Sequence, residues 1–223
     1  MDKVKVKKIN ELGDIVFRSP ANPHTYEYLL ENALGQNTYR GFHRIDKHGT
    51  GAKVAFISVL GSNKTKDKII SCLGLIRTED ELNELENEVA EVIKPALSNI
   101  RESQLDSYNK IRKPLDIFFE HLVSMEEDFD SIRKTLTPFL FLPLDSWMFK
   151  SPEVFPDEEL NKLRIKRTFS FQDIEQEAHY FEIQKFLKMR AKREGLKFRI
   201  YFDLLWNNRY KKTSAKNLFQ TNP

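Results

Sequence analysis

The sequence predicts an α+β fold, a small antiparallel or mixed sheet with a long helical hairpin in the middle of the chain. Three observations predict it. "KVKVKKI" at 3–9 alternates valine with lysine, as a half-exposed strand does. "TYRGFHRI" at 38–45 and "KVAFISVL" at 53–60 are two β-prone runs around a turn containing Gly49 and Gly51, the pattern of a hairpin. Between 78 and 140 the apolar residues recur at three- and four-residue steps, which keeps one apolar seam along a helix.

The first region, 1–77, reads as α/β. Besides the two strand-like runs it contains "TYEYLLENAL" at 25–34, a short helix that can stop at Gly35, where positive φ carries no steric cost. "GSNKT" at 61–65 follows a strand-like run but lacks the spacing of a phosphate-cradling loop, and reads as a polar turn.

In the second region, 78–140, Thr78 and Glu81 form a capping-box pattern ahead of Leu82, Leu85, Val89 and Val92. Pro95 bends or ends that helix, because it lacks a donor and crowds the preceding turn. A longer stripe follows at Ile111, Leu115, Phe118, Leu122, Met125, Phe129, Ile132 and Leu136. The polar stretch between the two helices lets them fold back on each other. The seam is either core or the contact face of a homodimer or protein partner.

The third region, 141–223, begins with the prolines at 143, 152 and 156. A helix with Ser170 as N-cap and Asp173 in its first turn comes next, stopping at Gly195. It is apolar on two faces, as a helix sandwiched between other elements is. His179, four residues after Glu175, is placed for an intrahelical hydrogen bond. "KFRIYFDLLW" at 197–206 then shows period two, with Phe198, Ile200, Phe202, Leu204 and Trp206 on one side and Lys197, Arg199, Tyr201 and Asp203 on the other. It reads as a strand packed with the N-terminal region, ending in a turn at Asn207–Asn208 and a basic tail.

The 223 residues include seventeen Phe, enough large apolar surface to offset ordering entropy, so a packed core is expected. Cys72 is the only cysteine, which excludes an intrachain disulfide and a thiolate zinc cluster within one chain. No run approaches the ~18–20 apolar residues of a membrane-spanning helix. A soluble, cytoplasmic protein in a reducing compartment, with no cofactor and no membrane partner, is the expectation.

The net charge of +3 hides an uneven distribution. Residues 1–77 carry +6, residues 78–150 carry −8 and residues 151–223 carry +5. The segment 185–216 alone carries +9. Fields act locally, over a Debye length of ~8–10 Å, so the cluster matters more than the total. It makes nucleic acid, DNA or RNA, the expected partner and non-enzymatic binding of the phosphate backbone the expected function. The candidate residues are Lys188, Arg190, Lys192, Arg193, Lys197, Arg199, Arg209, Lys211 and Lys212, with Tyr201 as a stacking platform on the exposed strand face.

Two other functions fit the residues. His43 and His48 on the expected hairpin, with Arg44 for a phosphate, suit a small metal-independent nuclease. The helices of 78–140 suit a protein–protein assembly factor. "RGFHRI" at 40–45 resembles the start of the aromatic strand motif of RNA-recognition domains, but His43 and Arg44 stand where that motif needs small and aromatic residues. "LPLDSWM" at 142–148 resembles the catalytic segment of helix-hairpin-helix DNA glycosylases, without the glycine-rich hairpin that precedes it there. Asp145 is explained as a cap of the following turn. No metal-ligand spacing is present.

Overall fold

In a computed structural model of the chain, which describes residues 1–19 and 23–205, the α+β expectation is overturned. No sheet forms among the described residues. The only strand-like pairings among them are isolated bridges between His24 and Glu126 and between Arg44 and Ile100. The described residues form ten α-helices: α1 (Lys3–Arg18), α2 (Tyr26–Asn32), α3 (Ala52–Leu60), α4 (Asn63–Leu75), α5 (Glu79–Ala96), α6 (Tyr108–Met125), α7 (Asp130–Leu136), α8 (Ser146–Lys150), α9 (Asp157–Leu160) and α10 (Glu177–Glu194).

Each predicted strand fails for a physical reason. "KVKVKKI" opens α1, because Val6, Ile9, Leu12, Val16 and Phe17 bury one helical face. A seven-residue window shows the alternation but not that longer stripe. Asp2 caps the helix by accepting from the Lys5 amide at 2.8 Å. "KVAFISVL" lies in α3, where Ala52, Ala55, Phe56 and Leu60 face inward. A short apolar run fits a strand or a helix equally well. "TYRGFHRI" is a short 3-10 turn at Gln36–Tyr39 followed by an irregular loop. "KFRIYFDLL" becomes a 3-10 helix at Arg199–Leu205, with every residue from Arg199 to Leu204 buried, so it has no solvated side. The predicted turn at Asn207–Asn208 lies outside the described residues.

The helix signals fared better. The Thr78–Glu81 capping box forms at the head of α5, Pro95 sits in its last turn, and Gly195 ends α10 at φ 84°. The stripe from Ile111 to Leu136 is not one helix. α6 ends at Met125, and Glu126 accepts from the Asp128 amide at 2.7 Å to start a new turn ahead of α7. Ser170 and Asp173 do form a box, but on a separate 3-10 turn, and α10 begins at Glu177.

The core is organised around α6. Every residue from Asn109 to Ser124 is buried, and α1, α2, α5, α7 and α10 pack around it. The seam of Ile111, Leu115, Phe118 and Leu122 is therefore used inside this chain. α3 and α4 lean on α5, and the 199–205 segment closes the far side against α1 and α10. No helix among the described residues is long and apolar enough to cross a membrane.

Candidate nucleic-acid interface

The basic cluster of 185–212 does not form one face. Arg199 is inside the protein. Its Nε donates to the Leu140 carbonyl and its Nη2 to the Phe139 carbonyl, both at 2.8 Å, and its Nη1 pairs with Glu79 at 2.8 Å. The guanidinium lies 4.3 Å from the centre of the Phe141 ring. This cation holds the 139–141 segment in place and is closed to a ligand.

Tyr201 is likewise fully buried, against the expectation of an exposed stacking ring. It stacks on Phe17 at 5.6 Å and its hydroxyl donates to Asp14 at 2.9 Å. Gly13 makes room for it: a Cβ at position 13 would lie 2.4 Å from the ring.

Other members of the cluster are engaged, Lys188 and Lys197 while exposed and Arg190 while mostly buried. Lys188 pairs with Glu79 at 2.7 Å, Arg190 with Glu194 at 2.9 Å, and Lys197 with Asp14. Burial raises the Asp14 carboxyl, yet the hydrogen bonds from Lys197, Tyr201 and Arg18 outweigh it and hold the group below its ordinary range. Glu194 is balanced the same way: burial raises it, and the N-terminal amine, Arg190 and Arg193 bring it below. Lys192 and Arg193 are exposed in the last turn of α10. Arg209, Lys211 and Lys212 lie outside the described residues.

What the sequence does not reveal is that α1 joins this region. Asn10 donates from Nδ2 to the Gly195 carbonyl and accepts from the Lys197 amide, both at 2.9 Å. The N-terminal amine pairs with Glu194. These contacts set α1 alongside the end of α10 and leave a groove of about 510 Å³ between them. Five basic side chains line it: Lys3, Lys7, Lys192, Arg193 and Lys197. Only three acids do so: Glu11, Asp14 and Glu194. The amine and Lys197 are held in pairs, and Lys7 reaches Glu11 only at 3.9 Å between two exposed side chains. An exposed pair at that distance holds its cation weakly. Lys3, Lys7, Lys192 and Arg193 are the cations the groove offers to an anion.

A second charged cluster lies buried where α5, α6 and α10 meet. Arg112 contacts Glu86 at 2.6 Å and Asp116 at 3.0 Å, and donates from Nη1 to Asn83 and Asn87. The Tyr180 hydroxyl donates to Asp116 at 2.9 Å. Phe141 lies against both guanidiniums, with Arg112 at 4.8 Å on the ring and Arg199 at 4.3 Å. Burial pushes the Glu86 carboxyl well above its ordinary range, with Arg112 opposing and Asp116 reinforcing. Burial also raises Asp116 to about 6. Arg112 lies against both acids and compensates their charge. The arrangement is a packing device, because neutral or compensated groups are what an interior tolerates.

The histidines of the nuclease reading sit on a loop and not on a hairpin. His43 and His48 are exposed at either end of it, and Arg44 donates to the Gly49 carbonyl at 3.3 Å. His179 approaches the Leu163 carbonyl at 2.7 Å rather than Glu175. Asp145 accepts from the amides of Trp147 and Met148, as a cap does. Among the described residues no three His, Cys, Asp or Glu side chains come together to hold a metal.

No protein-family model matches the chain, and no curated protein or solved structure matches it.

Proposed function

We propose that this protein binds nucleic acid through its phosphate backbone, without catalysis, in the groove between α1 and the end of α10. The observation that supports this reading is the lining of that groove: five basic side chains against three acids, gathered from α1 and the end of α10 and the residues after it. Lys3, Lys7, Lys192 and Arg193 are the contacts, with the basic residues Arg209, Lys211 and Lys212 following in the sequence. Lys188, Arg190, Lys197 and Arg199 serve the fold through their acidic and carbonyl partners.

Each phosphate contact releases condensed counterions, so the affinity falls with salt at a slope of about −0.9 per contact on duplex DNA. Four contacts predict a loss of roughly 10²-fold between about 50 and about 200 mM salt. Fluorescence anisotropy of the full chain with labelled oligonucleotides measures this directly. The combined variant Lys3→Gln, Lys7→Gln, Lys192→Gln, Arg193→Gln is expected to flatten the slope. A slope that the four substitutions leave unchanged removes the groove as the binding site.

A further inference from the structure

Resting on that reading, we infer that the groove takes double-stranded nucleic acid in preference to single strands. Proteins that hold single strands add aromatic platforms to their cations, and each stacked base contributes ~1–3 kcal/mol. Among the described residues the groove has no such platform. Its apolar lining there is Met1 and Val6, and none of the described lining residues is aromatic.

The aromatics that the sequence places beside the cations are turned away from the groove. Tyr201 is packed between Phe17 and Phe198. The Phe198 ring is covered by the Arg18 guanidinium at 5.7 Å. Phe186 stacks on Phe155 at 5.6 Å, and Phe202 is buried. The exposed large aromatics among the described residues are Tyr28 on α2 and Trp147 on α8, and neither lines the groove.

What remains is a set of point charges. Lys3 and Lys7 are one helical turn apart on α1, ~6 Å along the axis, and face Lys192 and Arg193 across the groove. A ligand read only by its charges is favoured by charge density. Duplex DNA presents one charge per ~1.7 Å of axis, and each contact on it releases more counterion than on a single strand, ~0.9 against ~0.7. Over four contacts that difference alone gives a preference of roughly tenfold at about 50 mM salt, shrinking to roughly fourfold at about 200 mM.

The test is anisotropy with the full chain, a duplex of about 20 base pairs, and each of its strands alone, at both salt concentrations. The expected result is tighter duplex binding by those ratios, with no dependence on base sequence. Single strands bound as tightly as the duplex, or more tightly, overturn the inference. If the four-residue variant still lowers affinity in that case, the phosphate-binding reading stands alone. Absence of binding to every oligonucleotide at the lower salt overturns both. The full-chain variant Trp206→Ala, Tyr210→Ala is expected to keep the duplex preference. A preference that changes with those two rings assigns discrimination to them and overturns the assignment to the groove.

Discussion

Arg112 and Glu86 meet at 2.6 Å between α6 and α5, and each side chain is 1% exposed. Asp116, Tyr180, Tyr108, Asn83 and Asn87 complete the surroundings of the guanidinium. Removing the cation with Arg112→Met leaves two buried acids without compensation. Loss of one partner of a buried pair costs about 3–5 kcal/mol, and a urea melt of the variant against wild type measures it.

The same cluster sets a pH dependence. Burial raises Glu86 and Asp116 above their unfolded values, so the folded state holds more protons than the unfolded state above the ordinary carboxylate range. Their contribution to stability is full in acid and declines as pH rises through about 6 and beyond. Glu86→Gln keeps the shape of the side chain but has no proton to lose. It is expected to flatten that decline between pH 5 and pH 8 in melting curves. A variant whose decline matches wild type excludes Glu86 as its source.

Asp14 and Glu194 act in the opposite direction. Both are held below their ordinary values by cations at the α1–α10 contact, so their contribution is present at neutral pH and lost in acid. Asp14→Asn is expected to lower the melting temperature at pH 7 and to lose most of that deficit near pH 3. Asp14 is partly exposed, so the effect is modest.

Gly13 and Tyr201 form a steric pair. Gly13→Ala drives a Cβ into the ring at 2.4 Å and is expected to destabilise by about 1–3 kcal/mol, the usual cost of overpacking. Tyr201→Leu in the Gly13→Ala background is expected to recover part of that loss. Losses that simply add would show that the two positions do not clash.

Asn99 stitches the loop that carries His43 and His48. Its Oδ1 accepts from the Asp46 amide, and its Nδ2 donates to the carbonyls of Asp46 and Thr50 at 3.0 and 3.2 Å. Asn99→Ala leaves those loop groups without partners and is expected to speed hydrogen exchange and proteolytic cutting within 43–51. Equal protection in variant and wild type would count against this role.

The caps were legible in the sequence because each is a local event. Thr78 and Glu81 are three residues apart, and Gly195 marks its own position. The buried charges were not, since a pattern of apolar positions treats Arg112, Asp116 and Glu120 as the outer side of α6. That helix has no outer side, because five other helices enclose it. The period of two misled because Arg199–Leu204 are all buried, and a segment buried all round places no constraint on which residues alternate. For the site, charge density pointed to α10 but not to Arg199, whose carbonyl partners Phe139 and Leu140 lie some sixty residues away. Nor did it point to Lys3 and Lys7, which α1 brings to the groove through contacts such as those of Asn10 with Gly195 and Lys197 and of Asp14 with Lys197.

That last contact also sets an order of events during synthesis. α1 is made well before residue 201, yet Gly13 and Asp14 acquire their partner Tyr201 only after the helices between them have been made. At ~5–20 residues per second, the nascent helix waits roughly 10–40 s with that flank uncovered. The α1–Tyr201 contact therefore forms only after α2 to α10 have been made. A stalled or truncated product would expose the Val16–Phe17 end of α1 to chaperones and proteases.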